Sequence, residues 1–337
     1  MTVKISREIR LKNRPVGLPA ESDFELAEVR VPQVGQSQVL VENIYMSVDP
    51  YMRGRMVDRK SYVPPFQIGQ PLDGGCVGRV VESNNEQFKV GDFVLGMSGW
   101  REHFISDGTG LFKIDPNLAP IQAYLGTLGM PGLTAYVGLL DIGKPKEGET
   151  VFVSAASGAV GSIVCQIARI KGCRVVGSAG SDEKVAWLLK EAGVDAAFNY
   201  KKVDNVIAQV GKQCPKGIDV YFENVGGVHL QAALEYMNTF GRLVMCGSIS
   251  GYNATEPVPG PTNLSYVTSK QLTLQGFIVR EHLSKLPQFY ADMAKWIAEG
   301  KINWKETIVE GLENAPRALI GLFKGDNFGK MLVRVGE

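Results

Sequence analysis

The stretch VSAASGAVGSIVCQIARIKGCRVVGSAGSDEK, residues 153–184, limits what this chain can fold into more than any other. An apolar run ends in a turn of small residues. That turn opens a segment with Val160, Ile163, Val164, Ile167 and Ile170 at offsets 0, 3, 4, 7 and 10, the single apolar stripe of an α-helix. Gly172 is placed to end that helix, and CRVVGS reads as a second strand. Ser181 then caps a helix carrying Val185, Leu188 and Leu189, which Gly193 closes. Strand, small-residue turn, helix and strand in this order make a βαβ unit of a parallel, doubly wound sheet.

The turn has a chemical reading. A dinucleotide fingerprint puts glycine where the turn is tight, where backbone meets pyrophosphate, and where helix packs on strand. Here those positions are Ala156, Gly158 and Gly161, so the first glycine is replaced. The residues from Ala155 to Ala159 are still small enough for backbone N–H groups and the helix N-terminus to reach phosphate oxygens. A strand before the turn and a striped helix after it favour dinucleotide binding over a turn that merely packs tightly. A site for NAD usually ends its second strand with Asp or Glu, which holds the ribose 2′-hydroxyl. This strand ends Gly177-Ser178-Ala179-Gly180, with no carboxylate to repel a 2′-phosphate, and Lys184 stands one turn into the next helix. NADP is therefore the favoured form.

The rest of the chain supplies a second domain. At 337 residues it is long for one core. Residues 1–127 look β-rich, with QVLVENIYMSV, GCVGRVVESN and FKVGDFVLG as strand-like runs broken by glycine and proline, which suits a small barrel. Residues 128–287 alternate strands with helices, including GIDVYFENVGG, GRLVMCGSIS and LTLQGFIV. Residues 288–337 hold a helix and a last strand, GKMLVRV, expected to return to the first domain. Net charge of +1 gives no electrostatic reason to expect nucleic acid or an anionic membrane as partner. No apolar stretch is long enough to span a bilayer, and the charged N-terminus lacks a signal-peptide core, so a cytoplasmic protein is expected. The five cysteines, at 76, 165, 173, 214 and 246, show no CxxC spacing and read as reduced thiols; the three histidines, at 103, 229 and 282, are scattered. No metal site is expected. Nothing marks His103 as a base or Cys246 as a nucleophile.

Taken with DPYMRGRM (49–56), LGMPGLTAYVGLLDIG (128–143), FNYK (198–201), ENVGG (223–227) and KGDNFGK (324–330), the chain resembles one group along nearly its whole length. It is similar to the zinc-independent medium-chain reductases that act on activated alkenes: prostaglandin reductases, plant alkenal double-bond reductases and bacterial curcumin reductase. The resemblance implies an α/β protein with a GroES-like, β-rich catalytic domain and a Rossmann domain, and with NADPH held between them. It implies that Gly158, Ala159, Val160 and Gly161 line the pyrophosphate, and that Lys184 and Tyr200 bind the 2′-phosphate. Asn224 and Asn327 would hydrogen-bond the cofactor; turn formation is the plainer role for both. Cys246, Gly247, Ser248, Ile249, Ser250, Gly251 and Tyr252 would run along the nicotinamide half, followed by Phe277, Ile278 and Val279. Homodimers are common among such relatives. Zinc alcohol dehydrogenases share the architecture, but their ligand runs correspond here to SVDPYMR and PLDGGCVG, and no lobe of four close cysteines lies between 90 and 125.

The implied reaction is NADPH-dependent reduction of the C=C bond of α,β-unsaturated ketones and aldehydes, with hydride added to the β-carbon. Charge then grows on the carbonyl oxygen and calls for a hydrogen-bond donor. Tyr252 is the candidate, since phenols, with pKa near ~10, keep their proton at neutral pH. The cofactor ribose hydroxyl competes for that role. Tyr51 is a second candidate, as a wall of the substrate pocket. The loop 253–266, rich in proline and glycine and expected to lead into a strand, reads as a substrate cover or subunit contact. A quinone reductase and a non-catalytic NADPH-binding sensor remain open as alternatives.

Overall fold

The computed structural model describes residues 4–336, which divide into two compact units. The first holds the chain up to Gly126 and again from Glu306; the second runs from Thr127 to Lys305.

The first unit begins with an antiparallel ribbon of β1 (Ile5–Leu11) and β2 (Phe24–Arg30). Next come β3 (Val39–Ser47), the short helix α1 (Met52–Arg55), β4 (Cys76–Ser83), β5 (Phe93–Gly96), β6 (His103–Ser106) and β7 (Phe112–Lys113). Most buried positions of β3 are Val, Leu, Ile and Met, as suits a strand covered on both faces, and its buried Asn43 donates to the Ser98 and Arg101 carbonyls.

In the second unit, α2 (Met130–Val137) precedes β8 (Thr150–Val153), α3 (Gly161–Ile170), β9 (Arg174–Ala179) and α4 (Asp182–Lys190). The chain continues through β10 (Ala196–Asn199), α5 (Val206–Gln213), β11 (Ile218–Glu223), α6 (Gly227–Tyr236), β12 (Met237–Met245), α7 (Ser265–Ser269), β13 (Thr273–Gly276) and α8 (Leu286–Ala298). All six strands pair in parallel, in the order β10-β9-β8-β11-β12-β13, the doubly wound arrangement expected from the sequence. Caps fall where expected: Ser181 Oγ accepts the Lys184 N–H at 3.3 Å, and Gly172 and Gly193 take positive φ after α3 and α4.

The chain then returns to the first unit as β14 (Glu306–Glu310), α9 (Ala315–Lys324) and β15 (Lys330–Arg334). β15 lies antiparallel to β3, giving a seven-stranded sheet that runs β14-β15-β3-β4-β5-β7, with β6 also paired to β3. Leu312, Leu319, Met331 and Val333 from this segment share one core with Met46, Met52 and Trp100.

Two expectations need correction. The division falls at 305/306, not at 287/288, because α8 buries Phe289, Met293 and Trp296 within the second unit, where Phe289 and Trp296 pack on Tyr136 of α2. The loop 253–266 leads first into α7, not directly into a strand, and Asn263 and Tyr266 tie that stretch to Glu235 of α6.

Candidate active site

β8 and β11 are neighbours in the sheet although two strands separate them in sequence, so the strand order reverses between them. In open α/β sheets ligands bind outside the carboxyl ends of the strands at such a point. The turns after β8, β9, β11 and β12 are all at that edge.

The turn after β8 is built by close approach. Gly158 N–H donates to the Ala155 carbonyl at 3.0 Å, and Ala155 takes a left-handed φ of 47°. A Cβ on Gly161 would lie 2.4 Å from the Ala155 oxygen, so only glycine lets α3 start on top of the turn. Ala156, which stands in the fingerprint's first glycine position, is fully buried, and its methyl faces Gly177 of β9. A Cβ on Gly177 would come within 2.8 Å of the Ala156 Cβ. The missing glycine has thus been moved to the neighbouring strand. Among the described residues the amides of Ala159, Val160 and Gly161 meet no acceptor, so the N-terminus of α3 offers open donors to an anion.

The end of β9 carries no carboxylate. Above Gly180 stand the Tyr200 hydroxyl, at 3.2 Å from where a Cβ would be, and Lys201 Cε, at 3.3 Å. The Tyr200 ring meets the edge of His229 at a centroid distance of 5.1 Å. Burial pushes the Tyr200 phenol up and the His229 imidazole down to about 4. Lys184 occupies the first turn of α4. Ser178 Oγ, inside this strand end, is buried with no hydrogen-bond partner among the described residues.

Glu223 closes β11 and binds the edge together. Its Oε1 accepts the Tyr221 hydroxyl at 2.8 Å, Ser154 Oγ at 3.1 Å, and the N–H groups of Val225 at 2.6 Å and Gly226 at 2.8 Å. Its backbone carbonyl accepts from Cys246 N–H at 3.1 Å and Gly247 N–H at 3.0 Å. Oε2 is buried without a partner among the described residues, and burial pushes the carboxyl pKa up. Asn224 is held by Ser154: its N–H donates to Ser154 Oγ at 2.9 Å and its amide to the Ser154 carbonyl at 2.8 Å.

The run 246–252 is laced to this turn, with Ile249 N–H on the Asn224 carbonyl at 3.2 Å and Ser250 N–H on the Val225 carbonyl at 3.0 Å. The Tyr252 hydroxyl folds back over Gly247, at 3.2 Å from its would-be Cβ, and accepts the Ser248 N–H at 3.3 Å. Gly251 ends the short helical turn from Ile249 that places Tyr252 there. Burial pushes the Cys246 thiol up to about 12, which suits a wall better than a nucleophile. Phe277, Ile278 and Val279 follow β13, half-buried, at the same edge of the sheet.

Two candidates belong to the first unit. Tyr51 starts α1, half-buried against that unit's core, and burial followed by the Asp49 charge pushes its phenol pKa up. Asn327 donates its side-chain amide to the Gly329 carbonyl at 2.7 Å, the turn-forming role.

Two family models match the chain, one described as the N-terminal domain of oxidoreductase over residues 7–114 and one as zinc-binding dehydrogenase over residues 159–299. The chain is 48% identical over 330 residues to the NADPH-dependent curcumin reductase of Escherichia coli (strain K12), covering 96% of this chain and 95% of that protein. It is 50% identical over 329 residues to prostaglandin reductase 1 of Bos taurus, covering 96% and 97%. The structure of CurA in complex with NADPH from Vibrio vulnificus superposes with a TM-score of 0.94 at 45% identity, over 98% of this chain and 99% of that one. The chain belongs to the zinc-independent medium-chain dehydrogenase/reductases.

For a medium-chain reductase the ligand chemistry of the chain is sparse: among the described residues no three His, Cys, Asp or Glu side chains gather. Cys76 of the PLDGGCVG run is buried in the first unit's core, and burial pushes its thiol up to about 12. Sequence reasoning missed Ser154, Gly177, Lys201 and Glu223. A glutamate closing the apolar run VYF, three residues before a double glycine, was the available signal for Glu223.

Proposed function

We propose that this protein is an NADPH-dependent reductase of the C=C bond of α,β-unsaturated ketones and aldehydes. The observation that carries this reading is the 48–50% identity, over nearly the whole chain, to proteins named as curcumin and prostaglandin reductases. The residues present fit the cofactor. The turn 155–161 leaves no room for a side chain at Gly161 and has open amides for a pyrophosphate, and the end of β9 has basic and phenolic groups where a carboxylate would select NAD. When bound, NADPH supplies a hydride to an electron-poor carbon.

The chain's own residues do the rest. Gly158, Ala159, Val160 and Gly161 bind the pyrophosphate, Lys184 and Tyr200 the 2′-phosphate. Asn224 and the run from Cys246 to Gly251, with Phe277, Ile278 and Val279, hold the nicotinamide half. Asn327 contributes a carboxamide, and Tyr51 walls the substrate. Tyr252 donates its phenol proton in a hydrogen bond to the substrate carbonyl oxygen, where negative charge develops during reduction.

We also read the protein as a cytoplasmic homodimer. Four of its five cysteines are buried free thiols, which suits a reducing compartment. No helix among the described residues is long and apolar enough to cross a membrane. β13 ends the six-stranded sheet with a mostly exposed face, an edge that a second copy would cover. Purified protein should oxidise NADPH with an enal or enone, and far more slowly with a saturated ketone. Turnover confined to quinones, or none across the whole panel, would overturn the reading.

A further inference from the structure

The turn Asn199-Tyr200-Lys201-Lys202 carries two adjacent lysines with different surroundings. Lys202 Nζ is taken by Asp182 Oδ2 at 2.5 Å, while Asn199 Nδ2 donates to Asp182 Oδ1 at 2.8 Å. Both oxygens of Asp182, which opens α4 beside the Ser181 cap, are thereby occupied, and these two partners hold its carboxyl below the usual range. Lys201 makes no ion pair among the described residues. Its backbone N–H donates to Asn199 Oδ1 at 3.0 Å, which fixes where its stem leaves the turn. That stem crosses the face of Gly180, with Cε 3.3 Å from the Cβ that Gly180 lacks, beside the Tyr200 hydroxyl at 3.2 Å.

Gly180 directly follows β9, where folds of this kind read the 2′ position of the adenosine ribose. A phosphate monoester there carries close to two negative charges at neutral pH, more than one ammonium can balance. We infer that Lys201 is a specificity-determining residue that pairs with the cofactor's 2′-phosphate, with Lys202 serving to neutralise Asp182. The inference rests on the reading of NADPH as cofactor and adds a second cation to Lys184. Lys201 is also the lysine whose stem the structure places directly over Gly180.

The test uses binding rather than turnover. Calorimetric titrations of the wild-type protein, Lys201→Gln and Lys201→Arg with 2′,5′-ADP and with 5′-AMP read the 2′-phosphate alone. Lys201→Gln should lose roughly tenfold in affinity for 2′,5′-ADP and none for 5′-AMP, while Lys201→Arg keeps the preference. If Lys201→Gln keeps the wild-type preference, or weakens both ligands equally as a packing role would, the inference is overturned. If the wild-type protein itself fails to prefer 2′,5′-ADP, the NADPH reading falls and takes the inference with it.

Discussion

Single side chains make the sharpest commitments. Tyr252 accepts the Ser248 N–H through its oxygen, and a phenol bonded in this way still carries the proton that an incipient enolate needs. Removing one such donor costs on the order of 100-fold in rate, so Tyr252→Phe should lower kcat by about that factor and leave the NADPH dissociation constant unchanged. An unchanged kcat would assign the donor to another group. Glu223 commits to a pH dependence. Burial raises its pKa above the ordinary value of 4.5, so protons bind it more tightly in the folded state than in the unfolded one. The stability this confers is fully present below pH 4.5 and is lost as pH rises through the folded-state value. Glu223→Gln cannot ionise. The melting temperature of the wild-type protein relative to Glu223→Gln should therefore fall as pH rises from about 4.5, and a difference that rose with pH would contradict a carboxyl whose pKa burial raises.

At the scale of elements, the exchange between Ala156 and Gly177 can be tested as a pair. Gly177→Ala would press two methyl groups carried by rigid backbone to within 2.8 Å, which should cost about 1–3 kcal/mol and weaken NADPH binding. Ala156→Gly in the same chain should restore most of both, because neighbours in contact do not add. Additive losses would show that the two do not meet. The same pair shows what was legible in the sequence. The stripe from Val160 to Ile170 and the caps Ser181, Gly172 and Gly193 announced α3, β9 and α4, since helix periodicity and capping are local. The compensating glycine was not legible, because Gly177 is 21 positions past Ala156 and only strand pairing brings them together. Lys201 and Glu223 were hidden for the same reason. Their partners at Gly180, Ser154 and Gly247 come from other strand ends. The misplaced boundary at 288 had another cause: α8 has the apolar spacing of any packed helix, and spacing alone does not say which core it faces.

Over the whole molecule, the chain's last segment completes the unit that its first segment began. Lys330 of β15 is 4% exposed, and its ammonium donates to the Val48 carbonyl at 2.9 Å, the Met331 carbonyl at 2.8 Å and Asp49 at 3.2 Å. Burial lowers its pKa, and the nearby Asp49 charge opposes that shift. Lys330→Met would leave Asp49 buried and unpaired by an ammonium, which should cost about 3–5 kcal/mol in urea denaturation. An unchanged midpoint would mean that β15 is held by its strand pairing and apolar contacts, with nothing added by the Lys330–Asp49 pair. The central claim is chemical, and one labelling measurement tests it most directly. Reduction of an enone with NADPH deuterated at the transferred position of the nicotinamide, followed by NMR of the product, should show a saturated ketone with deuterium on the β-carbon. Deuterium on the former carbonyl carbon, in an allylic alcohol, would contradict it.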